Sequence, residues 1–237
     1  MKALFGAVRL VVAAATTMAI AVLVLISIPF DRDGTLYHKL SRTWSRSILF
    51  ICGIRVRVHG LTKLDRSRNY VYVSNHASMF DIPAIVASIP DQIRIVYKRE
   101  LERIPIFGWV LKWGGYIGID RGRTSEAMKS LDEAASKIRN GASVLLYAEG
   151  TRTLDGRLQP FKRGAFNLAV KAAVPVVPLT INGSFRILRK HSVSLHPGEV
   201  EIVFDTPIPI EGRSGKDVER KLMEQVHAAI ARNYVEQ

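Results

Sequence analysis

From residue 54 onward, short apolar runs alternate with longer segments of helical period, and this alternation is the main architectural signal in the chain. The runs at 54–59, 70–74, 93–97, 116–119, 142–148, 176–181 and 200–204 are rich in Val, Ile and Tyr and bounded by turn-formers, so they read as strands. Between them, Ala127, Leu131, Ala134, Ala135 and Ile138 recur on one face of a predicted helix over 124–140, which Asn140-Gly141 would stop. A last helix follows Ser214 and Asp217, with the stripe Val218, Leu222, Val226 and Ile230. The pattern predicts an α/β fold: a mixed, largely parallel sheet flanked by helices, with the informative loops at one edge of the sheet.

The amino-terminal third is different. No charged residue occurs from Leu10 through Phe30, which as a helix is roughly 31 Å long and matches a hydrocarbon core. Lys2 and Arg9 precede this run as they would in a signal peptide, but the run is long and no small-residue cleavage site precedes Asp31, so a retained anchor is expected. The following stretch, 37–52, mixes Leu40, Trp44 and the run from Ile48 to Ile51 with Lys39, Arg42 and Arg46. It reads equally as an interfacial helix and as a core helix of the folded domain. The expected division is 1–52 as membrane anchor and interfacial helix and 53–237 as the catalytic domain.

Composition narrows the partners. A net charge of +13 calls for an anionic surface, and the apolar amino terminus favours membrane lipid over nucleic acid. Basic residues flank the apolar run on both sides, so charge asymmetry does not orient it. Cys52 is the lone cysteine, which excludes a disulfide framework and agrees with a reducing compartment.

Candidate chemistry starts at Asn75-His76-Ala77-Ser78-Met79-Phe80-Asp81, directly after the run Val71-Tyr72-Val73. A neutral imidazole accepts a proton from a hydroxyl near neutral pH, and a carboxylate on its other nitrogen fixes the tautomer and stabilises the imidazolium. No Gly-x-Ser-x-Gly elbow is present to supply a nucleophile, and His191 and His196 lack metal-ligand spacing. The attacking oxygen is therefore expected on a substrate. Ser78-x-x-Asp81 is also a capping box, and the two readings agree: a helix starting near Ser78 leaves His76 in the preceding loop and Asp81 in the first turn, where the side chains meet. On one continuous helix they would diverge by roughly 140°.

A His-x4-Asp pair that activates a substrate hydroxyl towards a thioester resembles the glycerolipid acyltransferases, in particular the 1-acylglycerol-3-phosphate acyltransferase family. Further blocks follow in that family's order: Lys98-Arg99-Glu100-Leu101 with Ile104-Pro105 and Phe107-Gly108-Trp109, then Gly115 to Arg121, then Tyr147-Ala148-Glu149-Gly150-Thr151-Arg152 with Pro160-Phe161-Lys162-Arg163-Gly164, then Val174-Pro175-Val176-Val177-Pro178-Leu179. One departure is that Ala148 stands where the family carries proline, which touches loop geometry and not charge.

The resemblance implies His76 and Asp81 as the catalytic pair, and Asn75, Ser78, Lys98, Arg121, Glu149, Gly150, Thr151 and Arg152 as substrate-binding residues. Arg121 and Arg152 would clamp a phosphate bidentately. Lys98 would stand near the oxyanion, and Glu149 would hold an arginine or a substrate hydroxyl. The implied reaction acylates the sn-2 hydroxyl of 1-acylglycerol 3-phosphate on the cytosolic face of an inner membrane, without metal or resident cofactor. The donor would be acyl-coenzyme A or acyl carrier protein. Three rivals stand beside it: transfer to another lyso-lipid such as a lysophosphatidylethanolamine or lyso-ornithine lipid, esterase action on water, and non-enzymatic binding of anionic lipid.

Overall fold

The computed structural model describes residues 2–89, 91–119, 124–139, 141–210 and 215–236. Arg121 and Ser214 lie outside the described residues. The strands are β1 (Ile54–His59), β2 (Val71–Ser74), β3 (Ile93–Lys98), β4 (Ile117–Ile119), β5 (Ser143–Tyr147), β6 (Val176–Asn182) and β7 (Gly198–Phe204). They form one sheet in the order β1-β7-β6-β2-β5-β3-β4, parallel throughout except for the antiparallel β6–β7 pair.

The period of two in the strands divides the core between two layers. Tyr72, Leu145, Val177, Leu179 and Ile181 face one side, where they pack with α1 (Lys2–Ser27), α2 (Thr35–Cys52) and α3 (Asp81–Ser88). Val71, Val73, Val144, Leu146 and Val176 face the other side, against α5 (Thr124–Arg139), α6 (Arg163–Ala172) and α8 (Lys216–Asn233). The short α4 (Phe107–Trp113) and α7 (Ser184–Ile187) complete the helices. In α8, Leu222, Val226 and Ile230 are buried as their spacing predicts.

α1 is not a free anchor. Its glycine and small residues lie against the folded domain: Gly6 abuts the Leu195 carbonyl, Ala13 and Ala21 are buried, and Thr17 Oγ1 accepts a 3.0 Å hydrogen bond from Trp44 Nε1. Its opposite face, with Leu4, Phe5, Val8, Val11, Leu23 and Ile26, is exposed. In α2, Tyr37, Ser45, Ile48, Leu49 and Cys52 are buried, while Phe50 projects outward. The helix therefore packs on the domain along one stripe and presents a second apolar and basic surface on the other.

Candidate active site

The chain leaves the carboxyl end of β2 through Asn75 and His76. Asn75 is buried, and its amide both donates to the Ile181 carbonyl (2.9 Å) and accepts from the Ile181 N–H (2.8 Å), which ties the exit of β2 to β6. Asp81 opens α3 and is fully buried. Its Oδ2 accepts from the N–H groups of Ala77 (2.7 Å) and Ser78 (2.9 Å) and meets His76 Nδ1 at 2.7 Å. An oxygen held as an acceptor by two backbone donors assigns the ring proton to Nδ1 and leaves Nε2 as the lone-pair nitrogen. The helix entrance thus brings imidazole and carboxylate together across a loop.

The third block holds this loop by its backbone. Glu149 is buried, and its two oxygens accept from the N–H groups of His76 (2.5 Å) and Gln159 (3.0 Å). The Thr153 N–H in turn donates to the His76 carbonyl (2.9 Å). Burial pushes the Glu149 carboxyl up to about 7, with the Asp81 charge adding to the rise and the two backbone bonds opposing it. Gly150 makes the turn at φ +72°, and a side chain there would meet the stem of Lys162. Ala148 donates its N–H to the Ser74 carbonyl at 3.1 Å. A proline would lack that donor, so the departure from the family pattern adds a bond between the β2 and β5 exits.

Tyr147 stacks on the imidazole with ring centroids 3.9 Å apart and an interplanar angle of 16°. One face of the catalytic candidate is therefore closed, and the His76 side chain retains 14% exposure. No sequence signal marks this contact, because it joins residues of two strand exits.

Several expected binding residues turn inward. Asn75 and Glu149 engage backbone groups, as above, in place of a substrate hydroxyl or an arginine. Ser78 is buried and donates its hydroxyl to the Leu188 carbonyl (2.9 Å), and α3 begins after Phe80 without a side-chain cap. Half of the capping box survives in the Asp81 contact to the Ser78 N–H; in the other half the Ser78 hydroxyl accepts from the Phe80 N–H at 3.4 Å in place of the Asp81 N–H.

The cations differ in their surroundings. Lys98 is exposed and paired with Glu100 at 2.5 Å. Arg152 is half-buried; desolvation pulls its pKa down and the Asp81 carboxylate opposes that change. Thr151 is exposed, and its Oγ1 accepts from Lys190 Nζ at 2.9 Å. Lys190 carries no motif, so reading the sequence passes over it. Beside the catalytic loop lies an almost wholly apolar cavity of about 360 Å³, lined by Leu10, Ala13, Thr17, Ala21 and Val24 of α1, by Trp44 and Ile48 of α2, by Met79, Phe80 and Pro83, and by Leu101, Phe107 and Leu111.

A histidine–carboxylate pair at the exit of β2 thus stands beside an apolar cavity, with the half-buried Arg152 in the neighbouring loop. Residues 55–182, more than half of the chain, match the acyltransferase family model, and the chain belongs to that family. Among curated relatives it is 33% identical to the chloroplastic 1-acyl-sn-glycerol-3-phosphate acyltransferase of Brassica napus over 83% of this chain and 59% of that protein. It is 35% identical to the alpha form of that enzyme from Homo sapiens (76% of this chain, 64% of that protein) and 32% identical to the human beta form (80% and 68%). The chain thus spans about three fifths to two thirds of the length of these relatives. The crystal structure of the 1-acyl-sn-glycerophosphate acyltransferase from Thermotoga maritima superposes with a TM-score of 0.82 at 25% identity, covering 98% of this chain and 94% of that one.

Proposed function

We propose that this chain moves a fatty acyl group from an acyl thioester of coenzyme A or acyl carrier protein to the sn-2 hydroxyl of 1-acylglycerol 3-phosphate, giving phosphatidic acid. The observation that carries the reading is a histidine with a free Nε2, fixed by a buried carboxylate whose charge also acts on Arg152, in a loop that runs on into the wall of an apolar cavity at Met79 and Phe80. Nε2 takes the proton of the acceptor hydroxyl as its oxygen bonds the thioester carbonyl. The C–S bond then breaks and His76 returns the proton to the departing thiolate. The His76–Asp81 pair supplies about 10²–10⁴-fold through general acid–base action. Holding both substrates together supplies most of the remainder, with effective molarities of about 10⁵–10⁸ M. The cavity is of a size for an acyl chain, and Arg152 offers planar donors to the acceptor's phosphate.

The test is mass spectrometry of products formed by the purified protein from mixed acyl thioesters and mixed lyso-lipids. Phosphatidic acid should dominate. Release of free fatty acid with no acceptor present would assign an esterase, and a preference for a lysophosphatidylethanolamine would reassign the acceptor.

The same reading sets the membrane arrangement. α1 meets the domain from Gly6 to Val24, roughly 27 Å of helix, so a spanning pose would drag a polar domain through most of the hydrocarbon layer. The helix instead lies along one leaflet with Leu4, Val8, Val11 and Ile26 in the acyl chains. The catalytic domain faces the cytosol, where acyl thioesters are made, on an inner membrane whose anionic lipids attract its net positive charge. Spin labels at Val12 and Val22 would report similar depths for this arrangement; depths differing by about half a bilayer would overturn it.

A further inference from the structure

We infer that Lys190 is a phosphate-binding residue and that, with Arg152, it forms the clamp that selects a phosphorylated acceptor. The inference rests on the acyl transfer reading above and deepens it. Lys190 lies in the segment after α7, which is fastened to both catalytic loops. Ser78 Oγ bonds the Leu188 carbonyl on one side, and Lys190 Nζ bonds Thr151 Oγ1 on the other. Thr151 stands between Glu149 and Thr153, which hold the two backbone groups of His76. The ammonium is therefore tied to the loop that holds the His76 backbone.

Its unused bonding capacity points to an anion. An ammonium has three donors, and the Thr151 hydroxyl takes one; among the described residues no carboxylate lies within ion-pair distance of Lys190 or of Arg152. Elsewhere in the fold, Lys98 is paired with Glu100, Arg163 with Glu219, Lys171 with Asp132 and Arg232 with Asp205. Arg9, Arg42, Arg94 and Lys162 also lack a carboxylate among the described residues, but Arg152 belongs to the loop that holds His76 and Lys190 bonds a side chain of that loop. Two half-buried positive charges, one bonded to the Thr151 hydroxyl and one on the following residue, neither in an ion pair among the described residues, favour a ligand that supplies two negative charges on one group. A phosphate monoester does so, and in 1-acylglycerol 3-phosphate it sits one carbon beyond the carbon bearing the reacting hydroxyl. A neutral or zwitterionic headgroup leaves the pair uncompensated.

The experiment is steady-state kinetics of the full chain on vesicles, with 1-acylglycerol 3-phosphate and a neutral monoacylglycerol as acceptors, for wild type, Lys190→Ala, Lys190→Arg and Arg152→Ala. Lys190→Ala should raise the KM for the phosphorylated acceptor about ten- to a hundredfold, the scale of a charge-assisted hydrogen bond. The KM for the thioester, and turnover of the neutral acceptor, should change by less than about threefold, and Lys190→Arg should recover most of the loss. Vesicle flotation and circular dichroism of Lys190→Ala should match wild type. An unchanged acceptor KM in Lys190→Ala, alongside a raised one in Arg152→Ala, would sink the inference and leave the acyl transfer reading intact. A rise confined to the thioester KM would overturn it in favour of a contact with phosphates of the donor. Absence of phosphatidic acid formation by wild type would instead remove the reading on which the clamp depends.

Discussion

His76→Ala should lower acyl transfer by at least about a hundredfold while leaving the protein folded and bound to vesicles. Among the described residues the imidazole makes one hydrogen bond, to Asp81, and one ring stack, with Tyr147. The backbone bonds that hold its loop belong to the N–H and carbonyl of residue 76 and survive truncation of the side chain. Removal therefore takes away the base and little of the scaffold. Rate measurements with saturating donor and acceptor, together with a thermal melt, separate these contributions. Retention of more than about a tenth of the rate would rule out proton abstraction by this histidine.

Asp81→Asn should lower kcat by about a hundredfold or more with little change in either KM, because this residue is fully buried behind His76. The amide carbonyl can replace Oδ2 and still accept from Ala77, Ser78 and the ring, so the tautomer is kept and the negative charge opposite the imidazolium is lost. The amide nitrogen then occupies the place of Oδ1, which is buried without a hydrogen-bond partner among the described residues. An unsatisfied donor there costs about 1–3 kcal/mol, so the variant should also melt earlier. A kcat within threefold of wild type would remove Asp81 from the mechanism.

The strands were legible because β-branched runs bounded by turn residues have few alternatives; 54–59 and 93–97 lie within one residue of β1 and β3. The His76–Asp81 contact was legible for a local reason, since five residues across a helix entrance bring two side chains together. What escaped notice is non-local. By its motif Glu149 reads as a ligand for substrate or arginine, and in the fold it holds the backbone of a residue 73 positions away. Lys190 was invisible because its position depends on how the chain after β6 folds back over Thr151. The packing of α1 left a trace that hydropathy overrides: Ala13, Thr17, Ala21 and Val24 repeat at helical spacing and make its domain-facing stripe. The Ser78 cap departs from the pattern because α3 starts only at Asp81, so the hydroxyl meets the Phe80 N–H while it gives its proton to the distant Leu188 carbonyl.

On the proposed function, the wall that α1 gives the cavity would make membrane attachment and acyl-chain choice two readouts of one helix. Replacing its small inner residues would shorten the room for a fatty chain without touching the lipid-facing side. Cutting the helix off to obtain a more soluble protein would open the pocket to water along that whole flank.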